Sequence, residues 1–471
     1  MAKLRHSKAL TSQQTAFPTE VEHREQSSDS KSGKVPAAPA GQACLRELGA
    51  GTRIVAGNAG DHALVLQLLV EAYQCPLAED FQSRLDEPSY EPNDRLLIQH
   101  EGRLIGHVQV SKQFGWFHGQ RCPLVKLQDF VTLPEYRSLN FGQSLLEVAE
   151  STAVSEGAIL GLVKSDRPEW FELHGWSSCR GQGYSRANTR AILSHFDSPP
   201  AARRRRGSRI EVRTWRHFEL DGLRRVYQQV STSMWGPLYR SETTWQWLMG
   251  RKVQDQVLIA IEKIPGKSNG LDTDPNIVGY AIVRDSCIVE MLTLPGFSSA
   301  RAKLLARACR DAIDRDHHFV SLHTPAADPM HELLVTAGGS WISHGATSEG
   351  QWMLKLLAPD RWVERFYPVL HERAREAGIR RPLEIVFAVG AFKWRLILTR
   401  RSSRLEPAAS ARPHAQCDWQ AFQDLLTCNL TFPEALAQGR LRTAHRSISR
   451  KLAVLFPPKL FWQSPFELLR L

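Results

Sequence analysis

The 471-residue chain lacks any apolar run long enough to cross a bilayer. Its longest runs, such as Ala63 to Val70 and Leu333 to Ala337, fall far short of the ~20 residues that a spanning helix needs. Met1 to Gln14 alternate charged and polar residues without an apolar stretch, so no secretory leader is expected, and the chain is placed in the cytoplasm. No C-x-x-C pair occurs, and no histidine stands at metal spacing from a cysteine. The eight cysteines, at 44, 75, 122, 179, 287, 309, 417 and 428, are scattered over the whole length. They fit reduced, mostly buried small residues better than a disulfide framework or a zinc site. His317, His318, His323, His331 and His344 do not fall at ligand spacing on one element either, so no metal is expected.

What is present is a soluble, globular composition: 42% hydrophobic residues and 23% charged, with a length that suits about three domains. The formal charge of +11 is localised, because 19 Lys and Arg stand against 9 Asp and Glu from Arg361 onward. That excess points to a contact between the last section and an acidic partner or another subunit, a homo-oligomer included. Arg203 to Arg206 raise the alternative of nucleic acid. Four arginines without interleaved aromatics read as a solvated run, and nucleic acid is not expected.

Residues 1–50, with SSDSKSGK and VPAAPAG, offer too little apolar surface to offset chain entropy and read as a disordered tail. The segment 198–208, SPPAARRRRGS, reads as a basic linker, and a softer break lies near Ala358-Pro359-Asp360. The folded sections are therefore 51–197, 209–357 and 358–471. In the first, strand Arg53 to Ala56 precedes a helix Asp61 to Tyr73 with Asp61 as its N-cap. Arg95 to His100 and Leu104 to Lys112 form a hairpin turned at Glu101-Gly102. Strand Leu124 to Leu133, helix Phe141 to Ser155, strand Ile159 to Lys164, helix Glu169 to His174 and strands at Ser177 to Cys179 and Tyr184 to Ile192 complete an α/β sandwich on a mixed sheet.

The densest chemistry lies in LQDFVTLPEYRSLNFGQSLLEVAE, residues 127–150. A strand ends at Pro134, a basic residue, small polar residues and a glycine fill the turn, and a long helix begins. The free amides and the positive end of the dipole at such a helix start suit phosphate oxygens. An ordinary strand-to-helix turn is the plain alternative.

Here the sequence resembles the GNAT acetyltransferase superfamily, whose pyrophosphate loop reads Arg/Gln-x-x-Gly-x-Gly/Ala. Arg137-Ser138-Leu139-Asn140-Phe141-Gly142 stands in that place, with Asn140 for the first glycine. Asn tolerates the left-handed conformation better than other non-glycine residues. Phe171-Glu172-Leu173-His174-Gly175-Trp176 is similar to the superfamily's Tyr-x-x-x-Gly-Phe segment, with both aromatics changed. The resemblance implies acetyl-CoA as co-substrate. The backbone of Phe130, Val131 and Thr132 would hold its pantetheine arm, and Arg137 with the amides of Ser138, Leu139, Asn140, Phe141, Gly142 and Gln143 its pyrophosphate.

Acetyl transfer to an amine needs a neutral nitrogen, a polarised thioester carbonyl and a proton for the departing thiolate. The superfamily's tyrosine commonly supplies that proton, but Phe171 has no hydroxyl. Tyr184 and His174 are the candidate replacements, and Asp129 is the nearest candidate base. Each also reads plainly as a packing, surface or hydrogen-bonded strand residue.

Section 209–357 repeats the layout: strand Ile210 to Trp215, a helix through Asp221 to Val230, paired strands Val257 to Glu262 and Val278 to Val283, then Ile288 to Leu294 before helix Ser298 to Asp314. Its loops lack the pyrophosphate pattern, so it reads as a second GNAT-like domain without a cofactor site. The aromatics of Met234 to Ser241 and Trp245 to Leu248 line a substrate cleft or fill a core. Section 358–471 reads as helix Arg361 to Ala377, strands Leu383 to Val389, Lys393 to Thr399, Arg404 to Pro407 and Cys417 to Trp419, helices Trp419 to Thr427 and Phe432 to Gln438, and a final strand Arg440 to Thr443. The segment Thr431 to Arg442 with Leu455-Phe456-Pro457 resembles the sterol-carrier-protein-like fold.

The whole is therefore expected as α/β and α+β: two GNAT-like mixed-sheet domains followed by a sterol-carrier-protein-like module. That order resembles the enhanced intracellular survival family of N-acetyltransferases. The resemblance implies that the chain's terminal carboxylate, here that of Leu471, serves as base, although Glu467 to Leu471 run past the family's ending at Ser464-Pro465-Phe466. The expected function is acetyl-CoA-dependent N-acetylation of a primary amine, on a small molecule or a lysine-like side chain. The alternative is a catalytically impaired GNAT-fold binding or scaffold protein.

Overall fold

Thr52–Ala56, Arg95–His100, Arg103–Phe117 and Gln120–Thr132 are rich in apolar and β-branched residues, and each pairs with the next as an antiparallel neighbour. In the computed structural model, residues 43–73, 76–197, 210–263, 275–346, 350–408 and 410–470 are described. The expected basic linker at 198–208, most of the expected tail, Cys75 and Leu471 lie outside them. Strand Cys44–Gly49 falls inside the expected tail and extends the sheet beyond Thr52–Ala56, so the fold begins earlier than residue 51.

The first sheet continues from Gln120–Thr132 to the parallel strand Leu160–Ser165, and then to Gln351–Leu356 and the short Ser177–Ser178. Trp235–Leu238 pairs with the far end of Arg103–Phe117. The second sheet runs in the order Ser340–Ser343, Gly183–Asn188, Phe319–Leu322, Cys287–Thr293, Ile277–Arg284, Gln256–Glu262, Ile210–Thr214. The two sheets thus exchange strands. Gly183–Asn188, from the first section, joins the second sheet, and Gln351–Leu356, from the second section, fills the first. Neither sheet is built only from the section expected to form it.

Three local expectations also shift. The strand expected to run from Tyr184 to Ile192 ends at Asn188, and Thr189–Asp197 is a helix. The first long helix is His62–Tyr73, preceded by a 3-10 turn. Asn58, not Asp61, caps that turn by accepting from the Gly60 amide. A further helix, Arg446–Leu455, follows the expected last strand and buries Ile448, Leu452 and Leu455.

The third layer is a five-stranded sheet ordered Ser403–Pro407, Phe392–Leu398, Leu383–Val389, Ala415–Cys417, Leu441–Thr443. One apolar core joins it to the first sheet, with Phe117, Trp235 and Trp352 meeting Trp362, Phe366, Phe387 and Phe422. Trp362 is fully buried, and its indole N–H donates to the Leu426 carbonyl at 2.9 Å, so this large ring leaves no polar atom unmet. The C-terminal tail then crosses back. Phe461 packs in that first core, whereas Trp462 and Phe466 belong to a core of the second sheet, so the tail seams the layers together. No helix among the described residues is long and apolar enough to cross a membrane.

Candidate active site

The site begins with a defect in a strand. Opposite His107 to Gln109, strand Gln120–Thr132 spends four residues, Gln128 to Val131, where three would match, so one residue bulges. Asp129 takes up the excess with φ +49, a left-handed conformation that a non-glycine residue adopts at some strain. Its contacts hold it there. Arg84 Nη1 donates to both carboxylate oxygens, at 3.1 and 2.8 Å, and the Asp129 carbonyl accepts from His107 Nδ1 at 2.8 Å. His107 Nε2 faces an Arg95 N–H at 2.9 Å and can only accept, which fixes the ring proton on Nδ1. Burial, together with Arg95, pushes His107 down to about 4, so the ring is neutral. Burial alone would raise the Asp129 carboxyl, but the Arg84 guanidinium overrides it and holds the group below its ordinary value.

The bulge also ends the neighbouring ladder. Parallel pairing with Leu160–Ser165 stops at Leu127 opposite Val163, which leaves residues 128–132 with one edge free of a strand neighbour. Beside this edge lies a cleft of about 490 Å³. It is lined by both splayed strands, by Tyr239, Arg240, Trp247 and Arg251 from the second section, and by Glu467 to Arg470 of the tail. The aromatic segments divide between the two readings: Trp245 is buried in a core, while Tyr239 and Trp247 face the cleft. Trp247 donates its indole N–H to the Ser83 carbonyl at 2.8 Å, which ties its helix to Ala78–Leu85, the helix that carries Arg84.

Beyond Thr132 the chain makes a 3-10 turn, Pro134–Leu139, and then enters helix Phe141–Ser155 through Asn140. Asn140 adopts φ +56 and ψ 15, the left-handed form that its side chain tolerates, and caps no amide of the helix. The first-turn amides therefore point out of the helix start without a side-chain acceptor. A Cβ on Gly142 would stand 3.3 Å from Thr132 Oγ1 and 3.7 Å from the Trp170 ring. Among the described residues Thr132 Oγ1 is buried with no hydrogen-bond partner, and Arg137 Nε donates back to the Thr132 carbonyl at 3.2 Å. An open strand edge, an uncapped helix start and a glycine against its neighbours fit the pantetheine and pyrophosphate of a coenzyme A thioester.

The structure brings Asp129 and Phe130 to the cleft, with Val131 and Thr132 following on the same strand. It does not bring Tyr184 there. That side chain stacks on His323 at 4.5 Å and belongs to the second sheet. His174 packs against Trp170 at 4.3 Å, outside the cleft lining. Phe171 is buried against Phe130 and Trp176. Leu471 is outside the described residues, and Arg470 before it reaches the cleft.

Tyr73 is a residue that the sequence reading missed. It ends helix His62–Tyr73, lines the cleft, and donates its hydroxyl to the Phe130 carbonyl at 2.5 Å. Tyr73 as a whole is 46% exposed, but the desolvation of its hydroxyl and the Asp129 and Asp166 carboxylates push the phenol up to about 12. Arg84 was missed too. Its helix, AEDFQSRL, has only Phe81 and Leu85 at helical spacing, and Asp129 lies 45 residues away.

This bulge, splayed edge and helix start belong to a fold of the GNAT type. Residues 63–170 match the family model described as the acetyltransferase (GNAT) family. None of the curated proteins compared matches the sequence. Among solved structures, the chain is similar to a GCN5-related N-acetyltransferase from Anabaena variabilis, at 15% identity over 88% of this chain and 99% of that one, TM-score 0.66. It is similar to a probable N-acyltransferase from Enterococcus faecalis, at 13% identity over 88% and 99%, TM-score 0.67. Eis1 from Mycobacterium abscessus, at 14% identity over 87% and 99%, has a TM-score of 0.60. At these identities the likeness is one of fold.

Proposed function

We propose that the protein is an acetyl-CoA-dependent N-acyltransferase that acetylates a primary amine held in the cleft. The observation that carries this reading is the free edge of residues 128–132, which leads from the cleft to the uncapped helix start at Asn140. Backbone groups of Phe130, Val131 and Thr132 receive the pantetheine amides. The amides of Phe141 to Gln143, with the helix dipole behind them, hold the pyrophosphate. Arg137 to Asn140 shape that loop.

Tyr73 takes the place that the superfamily pattern gives to a tyrosine at Phe171. A phenol pushed up to about 12 keeps its proton at neutral pH, and it sits on the carbonyl of Phe130, at the bulge where the thioester would lie. As the amine nitrogen bonds to the carbonyl carbon, the C–S bond breaks and its electron pair goes to sulfur. The sulfur takes the Tyr73 proton, and the proton lost by the amine restores the phenol through water. Asp129, with both oxygens held by Arg84, fixes the bulge and stays ionised; it is a poor base. The five-stranded layer, expected as a sterol-carrier-like module, acts as a scaffold under the first sheet.

One observation favours the alternative of a binding protein: Phe171 is buried and offers no proton donor at the family position. Release of free thiol from acetyl-CoA with a panel of amines separates the two. Turnover above background supports the transferase, and its absence despite acetyl-CoA binding supports the binder.

A further inference from the structure

The charges that line the cleft do not balance. Arg84 is paired with Asp129 and Asp80, and Arg240 with Glu290 and Glu467. Glu87 accepts from Gln113 Nε2 at 3.0 Å and from Ser89 Oγ at 3.4 Å. Lys164, Asp166 and Arg470 line the cleft as well, and two further cations, Lys126 and Arg251, form no ion pair among the described residues. Lys126 is 8% exposed and lines the cleft, and among the described residues its ammonium has no hydrogen bond and no ion pair. Glu87 and Glu467 face it across the space without forming an ion pair, and Arg84 and Arg251 are its cationic neighbours. Arg251 donates only to backbone carbonyls, those of Leu469 at 3.0 Å and Phe466 at 3.2 Å, while its Nε is buried without a partner.

A nearly buried ammonium without an acceptor is costly, and such a group persists where something else completes it. Burial lowers both groups; Arg251, lowered to about 10, remains charged at neutral pH. The place of Lys126 along the strand separates it from the coenzyme path. The pyrophosphate loop follows Thr132, whereas Lys126 lies three residues before the bulge in the other direction, ~10 Å along the strand. Lys126 therefore stands on the acceptor side of the reacting centre, with Arg251 as its cationic neighbour.

Building on the N-acyltransferase reading, we propose that Lys126 and Arg251 bind an anionic group, a carboxylate or a phosphate, carried by the acceptor amine. The acceptor is then a zwitterion of the amino-acid or aminoalkyl-phosphate class, and polyamines are disfavoured. Arg251 contributes the guanidinium N–H groups that the Leu469 and Phe466 carbonyls leave unused, and Lys126 a point charge.

The test is calorimetric titration of the full chain, without coenzyme, by γ-aminobutyrate and phosphoethanolamine against γ-aminobutyramide and ethanolamine, which keep the ammonium and lack the anionic group, and by spermidine. The anion-bearing member of at least one pair should bind about tenfold more tightly than its partner, and which pair responds distinguishes carboxylate from phosphate. Lys126→Met and Arg251→Gln should each bring that pair to near parity while acetyl-CoA binding stays unchanged. Equal affinity within both pairs, tighter spermidine binding, no binding of either anion, or a preference that survives both substitutions would overturn the proposal. Thiol release from acetyl-CoA should favour the same acceptor, with the discrimination in KM. Loss of acetyl-CoA binding alone would sink the transferase reading and leave the anion titration to decide this one.

Discussion

Arg84→Met removes the cation that holds Asp129 in the bulge while keeping much of the side chain's volume. The pair is largely enclosed, with side-chain exposures of 18% for Arg84 and 12% for Asp129. Deleting one partner leaves a carboxylate with little water and no paired cation, a change that typically costs about 3 kcal/mol at the low end for buried pairs. Spread over the unfolding entropy of a unit this large, that is a fall of about 3 °C in the thermal midpoint. The sign with pH follows from the depressed carboxyl. In the wild type its contribution is complete above the ordinary carboxylate range and is lost as pH falls through the lower folded value. In Arg84→Met burial dominates and raises the carboxyl, so the penalty is largest at neutral pH and shrinks on acidification. Arg84→Met/Asp129→Asn should recover much of the loss, because the neutral amide needs no cation. Melting curves of the three proteins between pH 4 and 8 measure this. A single variant as stable as wild type at pH 7, or a double variant no better than the single, would refute the proposed role of the pair.

Two further outcomes follow from named contacts. Tyr73→Phe keeps the ring and removes the proton, so kcat for thiol release should fall on the order of a hundredfold with little change in KM for acetyl-CoA; an unchanged kcat would remove Tyr73 from the chemistry. Arg240 joins Glu290 and Glu467 in a fully buried network that also receives the Tyr280 hydroxyl, so Arg240→Met should cost about 3 to 5 kcal/mol and lower the melting midpoint clearly. A melt within a degree of wild type would show that the tail is not held there.

Much of the site's frame was legible because it is local. Helix Phe141–Ser155 matches its expected bounds, and Asn140 adopts the left-handed form that its residue type suggested. The hairpin turn at Glu101-Gly102 likewise has both residues at positive φ, as a two-residue connection requires. What escaped depends on partners far away in sequence. The exchange of Gly183–Asn188 and Gln351–Leu356 between sheets is set by packing, and either strand's residues would suit either sheet. Arg84 and Tyr73 act on Asp129 and Phe130 from 45 and 57 residues away, and neither stands in a recognisable motif. Tyr184 looked like a replacement acid because it follows the second motif, but the strand exchange carries it onto the other sheet.

Calorimetric titration of acetyl-CoA into the wild type and Gly142→Leu bears most directly on the coenzyme site. The expected result is one site per chain in the wild type and at least tenfold weaker binding in Gly142→Leu, whose side chain would press on Thr132 Oγ1 and Trp170 at the helix start. No heat with the wild type, or an affinity untouched by the substitution, would contradict the assignment of that loop to coenzyme A.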